Sequence, residues 1–98
     1  MQINITGHHI DLSTALQEYI HNKMQRLERH CSEIMQLHVI IEPEKGGVKA
    51  EATGALKGER FFAEAVQRDA YAAVDILVDK LDSHVTKHKD RLTDHHSR

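Results

Sequence analysis

The spacing of apolar residues changes several times along this 98-residue chain, and that succession limits its fold more than any other feature. Alternation of apolar with polar residues is typical of strands, whereas recurrence at three- and four-residue steps is typical of amphipathic helices. In chain order, the pattern predicts a strand at 2–6, a helix reaching Cys31, strands at 36–42, 48–55 and 60–65, and a helix reaching Leu92. The predicted element order is therefore β-α-β-β-β-α.

Residues that begin or end such elements lie at the expected boundaries. Ser13 and Asp69 are suitable N-caps for the two helices. Pro43 has no N–H, so we expect it to close the second strand. Gly46-Gly47 and Lys57-Gly58 are suited to the turns of two hairpins.

The predicted fold class is an α/β (α+β) two-layer sandwich. Each helix has a single apolar face, so both helices should cover the same face of a four-stranded mixed sheet. The strands on either side of the first helix should be parallel, and the two hairpins make the remaining pairs antiparallel. The strand directions then make the two helices roughly parallel. We expect residues 1–92 to form a single domain and residues 93–98 to be a disordered tail.

Composition and local sequence patterns argue against a uniformly basic RNA-coating protein, a secreted protein and a membrane protein. The chain carries 13 Lys and Arg against 15 Asp and Glu, so a surface for polyanions must come from the segregation of charges. Cys31 is the only cysteine, which fits a reducing compartment. The sequence has neither the pattern of a signal peptide nor an apolar run of membrane-spanning length. We therefore expect a cytoplasmic protein with no membrane partner.

The two predicted helices sort their charges by side. On the second helix, one flank carries Lys80, His84, Lys87 and Arg91, and the opposite flank carries Asp75, Asp79, Asp82 and Asp90. The first helix repeats the pattern, with Lys23, Arg26 and His30 on the corresponding flank. Parallel helices sorted in the same sense predict two basic tracks facing the same way. Such tracks are suited to RNA phosphates, and they are also typical of a solvated helix face.

The nine histidines raise the question of a metal site. His84 and His88 have the spacing of two ligands on one helix face, but no cysteine pair or HExxH pattern completes the set. We expect no physiological metal and no cofactor, although these two histidines could hold an adventitious ion. The sequence shows neither a nucleophile paired with a base nor two carboxylates that would converge, so we do not expect an enzyme. Cys31 falls on the buried stripe of the first helix and is not expected to act as a nucleophile.

The sheet face opposite the helices is predicted to be bare. Strand alternation places Ile40 and Phe62 on this face, and two exposed large apolar residues favour a weak homodimer. Stacking of RNA bases is not expected, because at least half of the four aromatic residues should be buried.

The segment DAYAAVDILVDKLDSHVTKHKDRL, from Asp69 to Leu92, resembles the second helix of short-form ribosome hibernation promoting factors, in the ribosome-associated inhibitor and sigma-54 modulation protein family. Its YAAVD start, DKL centre and TKHKDRL end carry the likeness. The N-terminal MQINITGHHIDLSTALQEYI resembles the first strand and helix start of the same family. The likeness runs from Met1 to about Leu92 and agrees with the predicted element order.

This resemblance implies a bacterial factor that binds rRNA of the small ribosomal subunit in the mRNA and tRNA channel and blocks translation in stationary phase or stress. The positions that match the family's rRNA-binding residues are Lys23, Arg26, Lys80, Lys87, Lys89 and Arg91. Lys89 lies off the basic flank, so its role rests on the resemblance alone. At Asp82-Ser83-His84 relatives often carry another basic residue, for which His84 is a partial substitute.

The likeness is to the short form, which lacks the C-terminal domain by which long forms pair ribosomes. It implies cooperation with ribosome modulation factor in forming inactive dimers of whole ribosomes. The alternative function is a general double-stranded RNA-binding module or a protein-interaction module. Affinity for naked duplex RNA would distinguish the first of these.

Overall fold

The computed structural model describes residues 1–56 and 58–96, and the side chains of residues 1–56 and 58–87. Its elements are β1 (Gln2–Gly7), α1 (Thr14–His30), β2 (Ile34–Glu44), β3 (Gly47–Leu56), β4 (Glu59–Gln67) and α2 (Ala70–His96). This order confirms the predicted β-α-β-β-β-α. Lys57 of the second predicted turn and the side chains of the predicted tail at 93–98 lie outside the described residues.

The four strands form one sheet in the order β1-β2-β3-β4. β1 pairs with β2 in parallel, which is possible because α1 carries the chain back across the sheet. β2 with β3 and β3 with β4 pair antiparallel through short turns. The mixed four-stranded sheet is therefore as predicted.

Helices α1 and α2 cover one face of this sheet. The largest fully buried side chains come from both helices and from β2, and they include Ile20, Met24, Leu27, Leu37, Ile41, Leu77 and Leu81. Burial of each such side chain contributes about 1.5–3 kcal/mol. In the described part of the chain, no helix has the length and apolar character needed to cross a membrane.

The two helices run parallel and side by side. Successive positions on α1 meet successive positions on α2, in pairs that join Tyr19 to Tyr71, Lys23 to Asp75 and His30 to Asp82. The predicted parallel arrangement is confirmed. It fixes which flank of one helix meets which flank of the other.

Both predicted N-caps are present. Ser13 Oγ accepts a hydrogen bond from the Leu16 N–H at 3.1 Å, and Asp69 Oδ1 accepts one from the Ala72 N–H at 2.9 Å. Each bond satisfies a backbone donor in a first helical turn that has no partner within the helix.

The prediction that Pro43 ends the second strand is wrong. β2 continues to Glu44, and Pro43 pairs with Val48. β1 ends opposite Ile41, so beyond that point β2 has a neighbour on one side only, and such an edge tolerates proline. The positive φ that the first turn requires is taken by Gly46, at 77°.

Candidate nucleic-acid interface

Three of the predicted cations lie on the side of α2 that faces β4. These residues, Lys80, His84 and Lys87, are called here the α2 track. Lys80 and Lys87 are exposed. Lys80 Nζ also donates a hydrogen bond to the backbone carbonyl of Glu64 at 2.6 Å. Because β4 is an edge strand, this contact covers part of the edge to which another strand could pair.

His84 is less available than its two neighbours on the track. Its ring stacks on Phe61, with ring centroids 5.3 Å apart and planes inclined by 26°. Its Nε2 lies 3.6 Å from a carboxylate oxygen of Glu59, close enough for an ion pair when the ring is protonated. An imidazole already beside a carboxylate is a weaker phosphate ligand than a free ammonium group.

The basic residues of α1, Lys23, Arg26 and His30, are called the α1 track, and they lie at the seam between the helices. Lys23 Nζ is 3.7 Å from Asp75 Oδ1, and His30 Nδ1 is 2.6 Å from Asp82 Oδ1. Arg26 is exposed and makes no ion pair with any side chain that the structure describes. Of the α1 track, Arg26 is therefore the cation best placed to meet an external anion.

On the acidic flank of α2, Asp75 and Asp82 form ion pairs with α1 while 48% and 41% of their side-chain surfaces stay exposed. Two parallel helices with the same sorting of charges bring the basic flank of one against the acidic flank of the other. Asp75 and Asp82 consequently contact α1, while Asp79 stays exposed and the Asp90 side chain lies outside the described residues. A line of carboxylates thus separates the two basic tracks.

Tyr19 ties this seam together. Its hydroxyl donates a hydrogen bond to Asp75 Oδ1, and its ring meets that of Tyr71 edge to face at a centroid distance of 5.0 Å. The hydrogen bond to Asp75, followed by burial, raises the pKa of Tyr19 above its ordinary value of 10.0. Lys23 Nζ lies 5.4 Å from the centre of the same ring, within cation–π range. The seam is therefore polar, and its contacts hold α1 against α2.

We expect Tyr19→Phe to lower the free energy of unfolding by about 1 kcal/mol, the usual net contribution of one intramolecular hydrogen bond. The raised pKa means that this contribution is complete below the ordinary tyrosine value and declines as pH rises through the raised value. Urea denaturation should show a difference at neutral pH that shrinks above about pH 10. Tyr71→Phe is the matched control, and equal losses from both substitutions would contradict this role for Tyr19.

The predicted rRNA ligands fall into three groups. Arg26, Lys80 and Lys87 are exposed, and Lys23 and His84 are half-buried beside carboxylates. The side chains of Lys89 and Arg91 lie outside the described residues, on the same helix as the α2 track. The structure therefore brings together the α2 track along one side of the molecule and sets the α1 track apart from it.

Sequence reasoning did not single out Arg60 on β4, one of several exposed cations outside the two tracks. Its side chain lies on the open face of the sheet and makes no ion pair with a described side chain. The signal was present in the alternation of β4, which places Arg60 on the same face as Phe62. At the other end of that face, the charge of Lys49 is balanced by Glu42, whose Oε1 lies 2.8 Å from Lys49 Nζ. This contact lowers the pKa of Glu42 and raises the pKa of Lys49.

Metal-binding side chains do not converge in the described part of the chain. No group of three or more His, Cys, Asp or Glu side chains there could hold an ion. His84 faces Phe61 and Glu59, and the side chain of His88 lies outside the described residues. A site formed by His84 with His88 stays a prediction.

Comparison with known sequences gives a consistent result. The family model described as "Sigma 54 modulation protein / S30EA ribosomal protein" matches residues 3–93. A ribosome hibernation promoting factor of Azotobacter vinelandii is 45% identical over 91 residues, covering 93% of this chain and 85% of the relative. The factors of the same name from Salmonella typhimurium and Escherichia coli are each 40% identical over 95 residues, covering 97% of this chain and all of the relative.

Solved structures show the same fold. A ribosomal subunit interface protein from Coxiella burnetii superimposes with a TM-score of 0.87 at 33% identity, over 92% of this chain and 99% of that one. The N-terminal domain of Thermus thermophilus Protein Y gives a TM-score of 0.82 at 28% identity, over 90% of this chain and 99% of that one. With the family match across nearly the whole chain, these likenesses show that the chain belongs to the sigma-54 modulation protein and S30EA ribosomal protein family.

Proposed function

We propose that this protein is a ribosome hibernation factor that binds the small ribosomal subunit. The observation that carries the proposal is the α2 track, because it presents exposed Lys80 and Lys87 along one side of a helix while the acidic side of that helix is turned towards α1. A chain of negative formal charge can bind a polyanion only through such a separation of charges. Relatives with ribosome-related names support the choice of partner.

The contact with rRNA is proposed to be made through phosphates. Lys80 and Lys87 begin the line, and Arg91 follows them on the same predicted flank of α2. Lys89 lies off that flank and is included on the family resemblance alone. Arg26 on α1 supplies a second point of attachment across the seam. Contacts of this kind hold a protein in register on folded RNA without reading its bases, so the shape of the rRNA would determine the site.

The proposed mechanism is occupancy and not catalysis. With the basic side of the helices against rRNA in the mRNA and tRNA channel, the protein would exclude both ligands and stop translation in stationary phase or stress. No cofactor is needed for this action, which would take place in the cytoplasm where ribosomes work. Together with ribosome modulation factor acting on the same ribosomes, it would promote inactive ribosome dimers.

Two alternatives stay open to the same tests. A general double-stranded RNA-binding module would use the same cations, and a protein-interaction module would use the open sheet face. Phe62 is exposed on that face as predicted and Val66 is exposed beside it on β4, but Ile40 is half-buried, so few large apolar side chains are available to a second copy. Any homodimer formed through this face is therefore expected to be weak.

Co-sedimentation with separated ribosomal subunits tests the proposal. We expect saturable binding to the small subunit, weaker as salt is raised because counterions compete for the phosphates, and no comparable binding to the large subunit. Naked duplex RNA, added as a competitor for the protein, is the matched control. If the duplex displaces the protein as well as small subunits do, the general RNA-binding alternative is correct.

A further inference from the structure

The open face of the sheet contains a hollow of about 430 Å³, on the side opposite both helix tracks. Two neighbouring rows of paired strand residues surround it, namely Gln36, Ala55 and Arg60 in one row and His38, Thr53 and Phe62 in the next. Its volume falls within the range of small-molecule sites, which is about 300–1,000 Å³.

The register of the sheet explains why the hollow forms. In both rows the residue contributed by β3 is small, Ala55 in one and Thr53 in the other, while longer side chains stand on β2 and β4. On the helix side of the sheet, the Phe61 ring fills the space beside Gly54, where an added Cβ would lie 2.4 Å from the ring. The floor of the hollow is therefore densely packed.

The side chains around the hollow combine three kinds of chemistry. Phe62 is 56% exposed and offers an aromatic face. Arg60 offers a guanidinium group with no ion-pair partner among the described side chains. His38 is held in place by a hydrogen bond of 3.0 Å between its Nε2 and Thr6 Oγ1, and Gln36 adds an exposed amide. This combination suits a ligand that is both flat and anionic.

We propose that this hollow binds an unpaired nucleotide of single-stranded RNA, with the base stacked on Phe62 and a phosphate held by Arg60. Stacking on an exposed aromatic side chain is the usual way in which proteins hold unpaired bases, and arginine pairs with phosphate through two parallel hydrogen bonds. Gln36 and His38 are placed to hydrogen-bond the edge of the base. Base stacking was not expected from the sequence because few aromatic side chains would be exposed, but Phe62 alone, at 56% exposure, is enough for one base.

The charges around the hollow also give the bound strand a direction. Glu51 and Glu64 face each other in the row beyond Phe62, so phosphates are repelled from that side. Arg60 lies two residues from Phe62 on the opposite side. The phosphate backbone should therefore pass the Arg60 end of the hollow, and the acidic row should limit the site to one or two nucleotides.

Fluorescence anisotropy with a labelled hexa-adenylate RNA tests the proposal on the full chain. We expect binding at about 50 mM salt, and we expect Phe62→Ala to weaken it by about 5- to 100-fold, as for loss of a stacked base. Phe62→Tyr should restore most of the affinity. Arg60→Ala should also weaken binding and reduce the slope of log affinity against log salt by about one.

Two control variants separate this site from other surfaces. Val66→Ala removes an apolar side chain that is 45% exposed on the same face of β4 but outside the hollow, and it should leave RNA binding unchanged. Lys87→Glu alters the α2 track and should weaken binding to the small subunit, whereas the loss of oligonucleotide binding caused by Phe62→Ala should be the same with or without it, so the proposal can fail or succeed independently of ribosome binding.

The proposal is overturned if the wild-type protein does not bind the oligonucleotide, or if Phe62→Ala binds it as well as wild type does. Sedimentation velocity supplies a second readout. If Phe62→Ala abolishes a concentration-dependent dimer without changing RNA binding, the open face is a contact between two copies of the chain, and the nucleotide site is wrong.

Discussion

Replacing Lys87 and Arg91 together by glutamate lowers the affinity for the small ribosomal subunit by about 100-fold, if these residues contact phosphates as proposed. A hydrogen bond to a charged group contributes about 1.5–3 kcal/mol, so losing two of them costs at least about 3 kcal/mol, and each 1.4 kcal/mol is a factor of about ten. Lys87 is exposed and packs against nothing in the core, so the substitution should not unfold the protein.

Asp79→Asn is the matched control for this double substitution. Asp79 is exposed on the same helix but on its acidic side, so removing its charge should leave affinity unchanged or raise it slightly. Asp75 is unsuitable as a control because it accepts the hydrogen bond from Tyr19. If Asp79→Asn weakened binding as much as the double substitution does, the partner would be a basic protein surface and not RNA.

Leu77→Ala should lower the free energy of unfolding by about 2–5 kcal/mol, the usual effect of removing a large side chain from a packed core. Leu77 is fully buried in the middle of α2, where it belongs to the core shared by both helices and the sheet. A domain of this size loses about 4–8 °C in Tm per kcal/mol, so the melting temperature should fall by at least about 8 °C.

Ile76→Ala is the control for Leu77→Ala. The two residues are adjacent on α2, but Ile76 is 38% exposed. Substitution outside the core usually changes stability by less than about 0.5 kcal/mol, so Ile76→Ala should melt close to wild type. Similar losses from both variants in a calorimetric scan would contradict the packing described for α2.

The fold was predictable because its signals are local and repeated. Helix spacing from Leu16 to Cys31, the caps at Ser13 and Asp69, and the alternation of β4 each depend only on neighbours in sequence, and each is confirmed. The extent of β2 was not predictable in this way. Whether Pro43 ends a strand depends on whether β1 reaches that far, which is a property of the assembled sheet.

The interface was predictable only in part, for a related reason. A helical wheel shows which charges share a flank, but it does not show what that flank meets. Lys80 and Lys87 remained exposed, whereas Lys23 and His30 met Asp75 and Asp82 when the helices packed. The neutralisation of charges between elements therefore emerges from tertiary packing.

The hollow on the open face could not be found from any single strand. It depends on register across three strands, which places Ala55 between Gln36 and Arg60 and Thr53 between His38 and Phe62. Alternation alone predicted that Phe62 would be exposed, and the structure adds the exposed guanidinium group of Arg60 beside it.

The measurement that most directly tests the proposed function is competition on the small subunit. Small subunits saturated with the protein would be titrated with initiator tRNA and mRNA, and the protein that remains bound would be measured by sedimentation. If the protein occupies the mRNA and tRNA channel, it is displaced as those ligands bind, and excess protein in turn prevents their binding. Simultaneous saturation of the subunit by the protein, tRNA and mRNA would contradict the proposed site.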